Sequence, residues 1–241
     1  FDQSQDPMLS LFGQMHEGIP STMLGLKGIP DLAEEAAVQK NLEILRYTGG
    51  RLHFQAVSTL GALAHIRQAK KEGLSVTADM SIYQLLFSEE DLLGFDTNLK
   101  VMPPFRGKKQ QEGLIEALKD GTIDALVSNH IPHEVDAKNM EFDLAPFGMA
   151  GLPTFVPALV KLADKLGYPL LVEKLTKGPQ TILGNHSDSW DSLTVFDPNE
   201  EWVFDAKSNA SLASNNPYFN QTLKGKVKYL INRGKMEGIN E

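Results

Sequence analysis

The chain has 241 residues, a net charge of −8, and 41% apolar and 22% charged residues, the proportions of an ordinary globular domain. The acidic balance argues against a phosphate-backbone partner, and the absence of cysteine excludes disulfides, thiolate metal sites and a cysteine nucleophile. No apolar run approaches the roughly 18 residues that cross a bilayer, and no signal-peptide pattern opens the sequence, so the expectation is a cytoplasmic protein with neither a membrane nor a nucleic-acid partner.

Phe1 to Asp6 reads as a strand running into a loop, and a start at Phe rather than Met suggests the C-terminal part of a longer polypeptide. Residues 31–48 read as a helix, with Asp31 as cap and Glu34 completing a capping box. Leu52 to Val57 is a short apolar-rich run, a candidate buried strand. Ser58 or Thr59 caps a helix through Lys71, with Leu60, Leu63 and Ile66 on one side and Gly73 as its stop. Leu74 to Met80 is a further strand, and Ser88 caps the acidic turn Glu89-Glu90-Asp91. Lys100 to Pro104 is extended, because proline restricts the residue before it. A helix over Lys108 to Asp120 turns Leu114, Ile115 and Leu118 inward and stops at Gly121. Ile123 to Ser128 is a strand, and Thr154 to Lys165 a helix. Strands and helices alternating at this spacing imply parallel βα units. After Gly184 the pattern becomes short strands, Leu193 to Phe196, Trp202 to Phe204 and Val227 to Ile231, between polar turns. The organisation expected is an α/β part over 1–184 and a β-rich part over 185–241.

Several segments carry a family signature. Asp96-Thr97-Asn98-Leu99-Lys100-Val101-Met102-Pro103-Pro104-Phe105-Arg106 resembles the DTN-x-KV-N-PP-x-R segment of dihydroorotases, and Asp120-Gly121-Thr122-Ile123-Asp124-Ala125 resembles the DGTIDA before their last barrel strand. Ala145-Pro146-Phe147-Gly148 with Gly151-Leu152 is similar to their substrate loop. Gly25 to Pro30, followed by Ala33-Glu34-Glu35, is similar to the segment that starts the helix after their fifth strand, and Leu223 to Val227 resembles the closing strand of their β domain. Hydantoinases and allantoinases share the barrel, but the DTN-x-KV segment favours dihydroorotase. The fold this resemblance implies is the C-terminal half of a (β/α)8 amidohydrolase barrel, strands five to eight, plus part of a small composite β domain. Four strands cannot close such a barrel alone, so the other half comes from elsewhere in the protein or from another chain.

The chemistry implied is hydrolysis of a cyclic amide, or its reverse. Zinc polarises the carbonyl and lowers the pKa of a bound water, and a strand-eight carboxylate moves the proton. In this sequence the strand-five histidine position holds Gln3, ahead of Gln5-Asp6, and the strand-six histidine position holds Ala56. Asn129 stands where the aspartate belongs, and Met102 replaces the substrate-contacting asparagine. His133, Arg106 and Gly148 match substrate-contacting positions of the family. An amide cannot accept the proton at neutral pH, and alanine has no donor atom for zinc. The expectation is therefore a protein without dihydroorotase activity of its own and with no bound cofactor. Its role would be that of a structural partner of an aspartate transcarbamoylase-like subunit, or a self-associating homodimer. The alternative is an active zinc-dependent dihydroorotase, or other cyclic amidohydrolase, drawing its ligands from an upstream HxH motif. A weaker option is small-molecule sensing through the remnant pocket.

The remaining candidates have blander readings. His53 lies three residues before Ala56, on the opposite strand face, and reads as a packing histidine. His130 reads as structural, Asp79 as a hydrogen-bonding group at a strand end, and Lys108-Lys109 as a solvated helix start rather than a phosphate site. His133 carries either a relic or a retained binding role. His16, His65 and His186 read as surface residues.

Overall fold

A computed structural model describes residues 1–185 and 192–238; His186 lies outside them. In chain order, β1 (Met15–His16), α1 (Ile19–Leu24) and β2 (Gly28–Ile29) form a small ribbon in which β1 and β2 pair in parallel. Then come α2 (Asp31–Thr48), β3 (Leu52–Phe54), α3 (Leu60–Lys71), β4 (Val76–Ser81), α4 (Lys108–Lys119) and β5 (Ala125–Val127). They are followed by α5 (Val135–Lys138), α6 (Phe155–Leu166), α7 (Tyr168–Leu175), α8 (Lys177–Leu183), β6 (Ser192–Phe204), β7 (Gln221–Asn232) and β8 (Lys235–Gly238).

The central sheet is parallel, in the order β3-β4-β5, and Asp2 adds a parallel bridge to Phe54 on the outer side of β3. The strands thus lie side by side in sequence order. That is the arrangement of a barrel wall; a doubly wound sheet would reverse its order midway. Side-chain alternation separates two faces. Phe54, Val76, Ala78, Met80 and Leu126 are buried in the hydrophobic core. The opposite face carries His53, Thr77, Asp79 and Ser81, with Ala125 and Val127 beside them in register. Helix α3 contributes Ala62, Leu63, Ile66 and Ala69 to the core; burying each Leu or Ile is worth about 1.5–3 kcal/mol.

Local signals set most boundaries. The Thr59 side chain accepts from the Ala62 N–H and caps α3, and Gly73 takes φ 81° just past its end. Gly121, at φ 80°, follows α4 in the same way. One capping expectation is corrected. Pro30, with φ −69° and ψ 152°, is the N-cap of α2, so Asp31 is its first helical residue. Glu34 is buried and, instead of closing a capping box on its own helix, accepts hydrogen bonds from Ser58 and Thr59 at the start of α3.

The C-terminal region also differs from its expected layout. Leu193 to Phe196 and Trp202 to Phe204 belong to one long strand, β6, paired antiparallel with β7, with a register shift between Asp197 and Glu201. Pro198 sits in that shift, where a residue without an N–H can break the ladder without breaking the strand. Two helices missing from the sequence reading, α7 and α8, each carry a proline in the first turn or shortly after it, Pro169 and Pro179.

Candidate functional site

The C-terminal ends of the parallel strands gather most of the candidate residues. Ala56 and Asn129 both leave their strands through left-handed backbone, φ 54° and 44°. Asparagine tolerates that region far better than alanine. The Ala56 N–H donates to Asp79 Oδ1 at 2.7 Å, and Asp79 Oδ2 meets His53 Nε2 at 2.9 Å. His53 Nδ1 lies 2.8 Å from the Thr77 hydroxyl. A carboxylate can only accept, so Nε2 carries a proton toward Asp79. His53 is 6% exposed and packs on the Phe1 ring at 4.8 Å. Both His53 and Asp79 therefore spend their polar atoms inside the sheet face, in the structural roles expected for them.

Gln3 and Asn129 converge on one atom. Gln3 Nε2 donates to the Met102 carbonyl at 3.1 Å, and Asn129 Nδ2 donates to the same oxygen at 3.0 Å. The structure therefore brings together Gln3, Met102 and Asn129, which lie 99 and 27 residues apart from Met102 in sequence.

His133 and Gly148 form a neighbouring wall. His133 Nε2 donates to the Phe147 carbonyl at 2.9 Å. A Cβ on Gly148, whose φ is 143°, would come within 2.7 Å of His133 Nε2, so only glycine fits there. His130 bridges to Met149 and its Nδ1 accepts from the Leu152 N–H at 3.2 Å; burial pushes its pKa down.

Arg106 stands apart from both groups. It is 2% exposed, and its guanidinium donates to Ser58 Oγ and the Ile29 carbonyl and pairs with Asp31 at 3.1 Å and Glu34 at 3.5 Å. Its guanidinium is held in an internal ion-pair network. The physical reason is that a buried guanidinium needs acceptors, and two carboxylates of α2 supply them. His16 belongs to this network too, which corrects its surface reading. Its Nδ1 accepts from Arg106 Nη1 at 3.2 Å and lies 3.5 Å from Asp31, and its side chain is 12% exposed. Burial, and then the Arg106 charge, lower its pKa. His65 is half-buried on α3. Lys108 is 74% exposed and pairs with Glu90 at 3.4 Å, as a solvated helix start would.

Two features had no sequence signal. Asn215, 3% exposed, accepts from the His133 N–H and donates to the carbonyls of Ile131 and Gly148, while Asn216 donates to Ala150 and Thr154. In the sequence Ser214-Asn215-Asn216-Pro217 reads only as a turn. Lys138 is also buried, and its ammonium donates to the carbonyls of Pro146, Thr97 and Lys100. Burial first, then the Lys100 charge, pushes its pKa down to about 8. Lys138 borders an open cleft of about 590 Å³ between Asp96–Asn98 and Ser214–Pro217.

The zinc that the resemblance implies can be tested against these side chains. Among the described residues no three His, Cys, Asp or Glu side chains come together in a metal-holding group. Of the three family positions in this half, two hold amides already donating N–H to a carbonyl, and the third holds Ala56. The described residues do not fit zinc.

The parallel sheet in sequence order, with its polar groups at the strand ends, defines the class. The chain has the amidohydrolase type of α/β fold. It superposes on the L-hydantoinase of Arthrobacter aurescens with a TM-score of 0.78 and 26% identity, covering 88% of this chain and 51% of that one. It also superposes on the inactive dihydroorotase-like domain of a Chaetomium thermophilum CAD-like multifunctional protein, with a TM-score of 0.65 and 21% identity over 86% of this chain and 56% of that one. No family model matches the sequence. Curated relatives are more specific. The dihydroorotase of Caldanaerobacter subterraneus is 39% identical over 239 residues, 96% of this chain and 56% of the relative. That of Geobacter metallireducens is 38% identical over 240 residues, 97% and 57%. The chain belongs to the dihydroorotase family, and it spans about half the length of the curated relatives it matches. No helix among the described residues is long and apolar enough to cross a membrane.

Proposed function

We propose that this chain is the second half of a dihydroorotase-type barrel, strands five to eight over residues 1–184, with part of a composite β domain over 185–241. The protein it builds is catalytically inactive. It acts in the cytoplasm, within pyrimidine biosynthesis, as a structural partner of an aspartate transcarbamoylase-like subunit or as a homodimer. One observation carries this reading: Gln3 and Asn129, where the family keeps a ligand and a proton shuttle, both donate amide N–H to Met102. A general base that is lost typically costs about 10²–10⁴ in rate, and loss of the metal removes nucleophile and electrophile together. The inactive dihydroorotase-like domain of the Chaetomium protein supports the idea that such a frame persists without catalysis. On this reading His133 and Gly148 line a remnant pocket, Met102 closes it, and Arg106 holds the frame.

The second reading is an active zinc enzyme, favoured by the identity of nearly 40% to proteins named dihydroorotase. Elemental analysis and turnover of the full-length protein, purified without chelator, separate the two. The first reading expects far less than one equivalent of zinc and no dihydroorotate turnover; near-stoichiometric zinc with rates of roughly 1–10³ per second would replace it with the second. Co-purification with an aspartate transcarbamoylase subunit is the expected partner result, and two separate gel-filtration peaks would remove that partner.

A further inference from the structure

The residues that do not fit a metal fit one another. Gln3 follows Asp2, whose backbone bridges to β3, and Asn129 follows β5. β3 and β4 lie between them, so at about 4.8 Å per strand the two ends start roughly 14 Å apart. Neither amide can reach across that gap to the other. Each reaches Met102 instead, on the loop that returns over the strand ends. A carbonyl oxygen has two lone pairs and can accept both donors. That loop is held from its far side as well, because the buried Gln84 amide donates to the Pro103 and Pro104 carbonyls at 3.1 and 3.2 Å. Left-handed backbone at Asn129, a conformation asparagine tolerates, aims its side chain at this acceptor.

We propose that Gln3, Met102 and Asn129 form a metal-independent clasp that ties the segment bridged to β3 at Asp2 to the end of β5 through one shared carbonyl. The two substituted positions then perform a matched task, and a carboxylate at position 129 would work against it. The inference deepens the non-catalytic reading and rests on it only for what these positions hold in active relatives; the clasp itself rests on the hydrogen-bond geometry.

The polarity of the bond gives the test. Asn129→Asp is nearly isosteric, but an ionised carboxylate would place an acceptor against an acceptor about 3 Å away. Once protonated it could donate again. The folded-state pKa of such a carboxyl would lie above its unfolded value, so the variant would lose stability as pH rises. Thermal melts of the full-length protein would compare wild type, Asn129→Asp, Asn129→Ala and Gln3→Glu between about pH 4.5 and 7.5, a range that spans a raised carboxyl titration. The left-handed backbone at position 129 penalises alanine at every pH, so the readout is the trend: from the lower to the upper pH, Asn129→Asp should lose about 2–4 °C of melting temperature relative to Asn129→Ala. Gln3→Glu, on an exposed side chain, should show the same pH trend against wild type and serves if the Asn129 variants do not fold. Curves for Asn129→Asp and Asn129→Ala that keep a constant offset at every pH, or a Gln3→Glu protein that melts like wild type throughout, would overturn the clasp. Zinc and turnover in the purified protein would sink the non-catalytic reading and leave this pH signature intact. A zinc-free, inactive protein without the signature sinks the clasp alone.

Discussion

Single residues divide this site into groups that the sequence exposes and groups that it hides. The amides at Gln3 and Asn129 and the missing donor at Ala56 are legible, because the chemistry of a side chain can be read without its neighbours. What those side chains touch is not legible, because the shared acceptor belongs to the backbone of Met102. Glu34 makes the same point on the other side of α2. Its carboxylate accepts from both N–H groups and both hydroxyls of Ser58 and Thr59, and pairs with Arg106. It thereby supplies the anion favoured at the N-terminus of α3 and neutralises a guanidinium that is almost wholly buried. Glu34→Ala would leave that cation underpaired, which typically costs about 3–5 kcal/mol. Glu34→Gln would retain one acceptor oxygen and lose less. Urea unfolding with unchanged slope would measure both, and a Glu34→Ala loss below about 1 kcal/mol would mean that the network contributes little.

At the scale of elements, legibility follows the range of the signal. The end of α3 at Gly73 and that of α4 at Gly121 are set by residues inside the turn itself, so their positions can be read in advance. The strands are shorter than their apolar runs, since β3 stops at Phe54 while the apolar character continues to Val57. The left-handed residue Ala56 interrupts the strand, although the Val57 N–H still donates to the Asp79 carbonyl, and nothing in alanine announces it. The loop around α5 is the extreme case. It is held by Lys138 against carbonyls of Thr97, Lys100 and Pro146, and by Asn215 from more than 80 residues away. A lysine reads as solvated in any local window, yet this one is buried with its pKa lowered to about 8. The consequence for stability has a definite sign. Between about pH 8 and the ordinary lysine value near 10.4, the unfolded chain holds a proton that the folded chain has released. Stability therefore rises with pH across that window. Below it both states are charged, and burial of the cation opposes folding. Lys138→Met lacks this term, so its urea midpoint should fall behind that of wild type as pH goes from about 7.5 to 10. Parallel curves for the two proteins would show that the Lys138 proton is not lost on folding.

For the molecule as a whole, the question is how the β6–β7–β8 sheet is joined to the α/β part. The sequence shows the change of pattern after Gly184 but cannot show the joint. In the structure, β7 lies against α6, with Gly225 tight against Val160 and Pro157. Gly225 is buried, has φ 94°, and a Cβ there would stand 2.7 Å from Val160 Cγ2 and 3.6 Å from the Pro157 backbone. Its carbonyl also receives the Trp202 indole N–H at 3.0 Å, so the same residue fixes β6. Around it Phe196 packs on Tyr168 at 6.3 Å and extends the contact to α7. Two effects oppose any side chain here: a backbone conformation that L residues rarely adopt, about 1–3 kcal/mol, and overpacking against α6, another 1–3 kcal/mol or so. The strain can be relieved only by moving the sheet off α6 or by distorting the β6–β7 ladder. Gly225→Ala should therefore loosen the C-terminal sheet before it disturbs the parallel one. In limited proteolysis of the full-length protein, cleavage should rise within residues 192–238 while the fragment carrying β3, β4 and β5 persists. Equal loss of both parts would mean that the sheet and the α/β part unfold as one unit. An unchanged digestion pattern would mean that α6 gives way to the added methyl group and that the joint is softer than its packing implies.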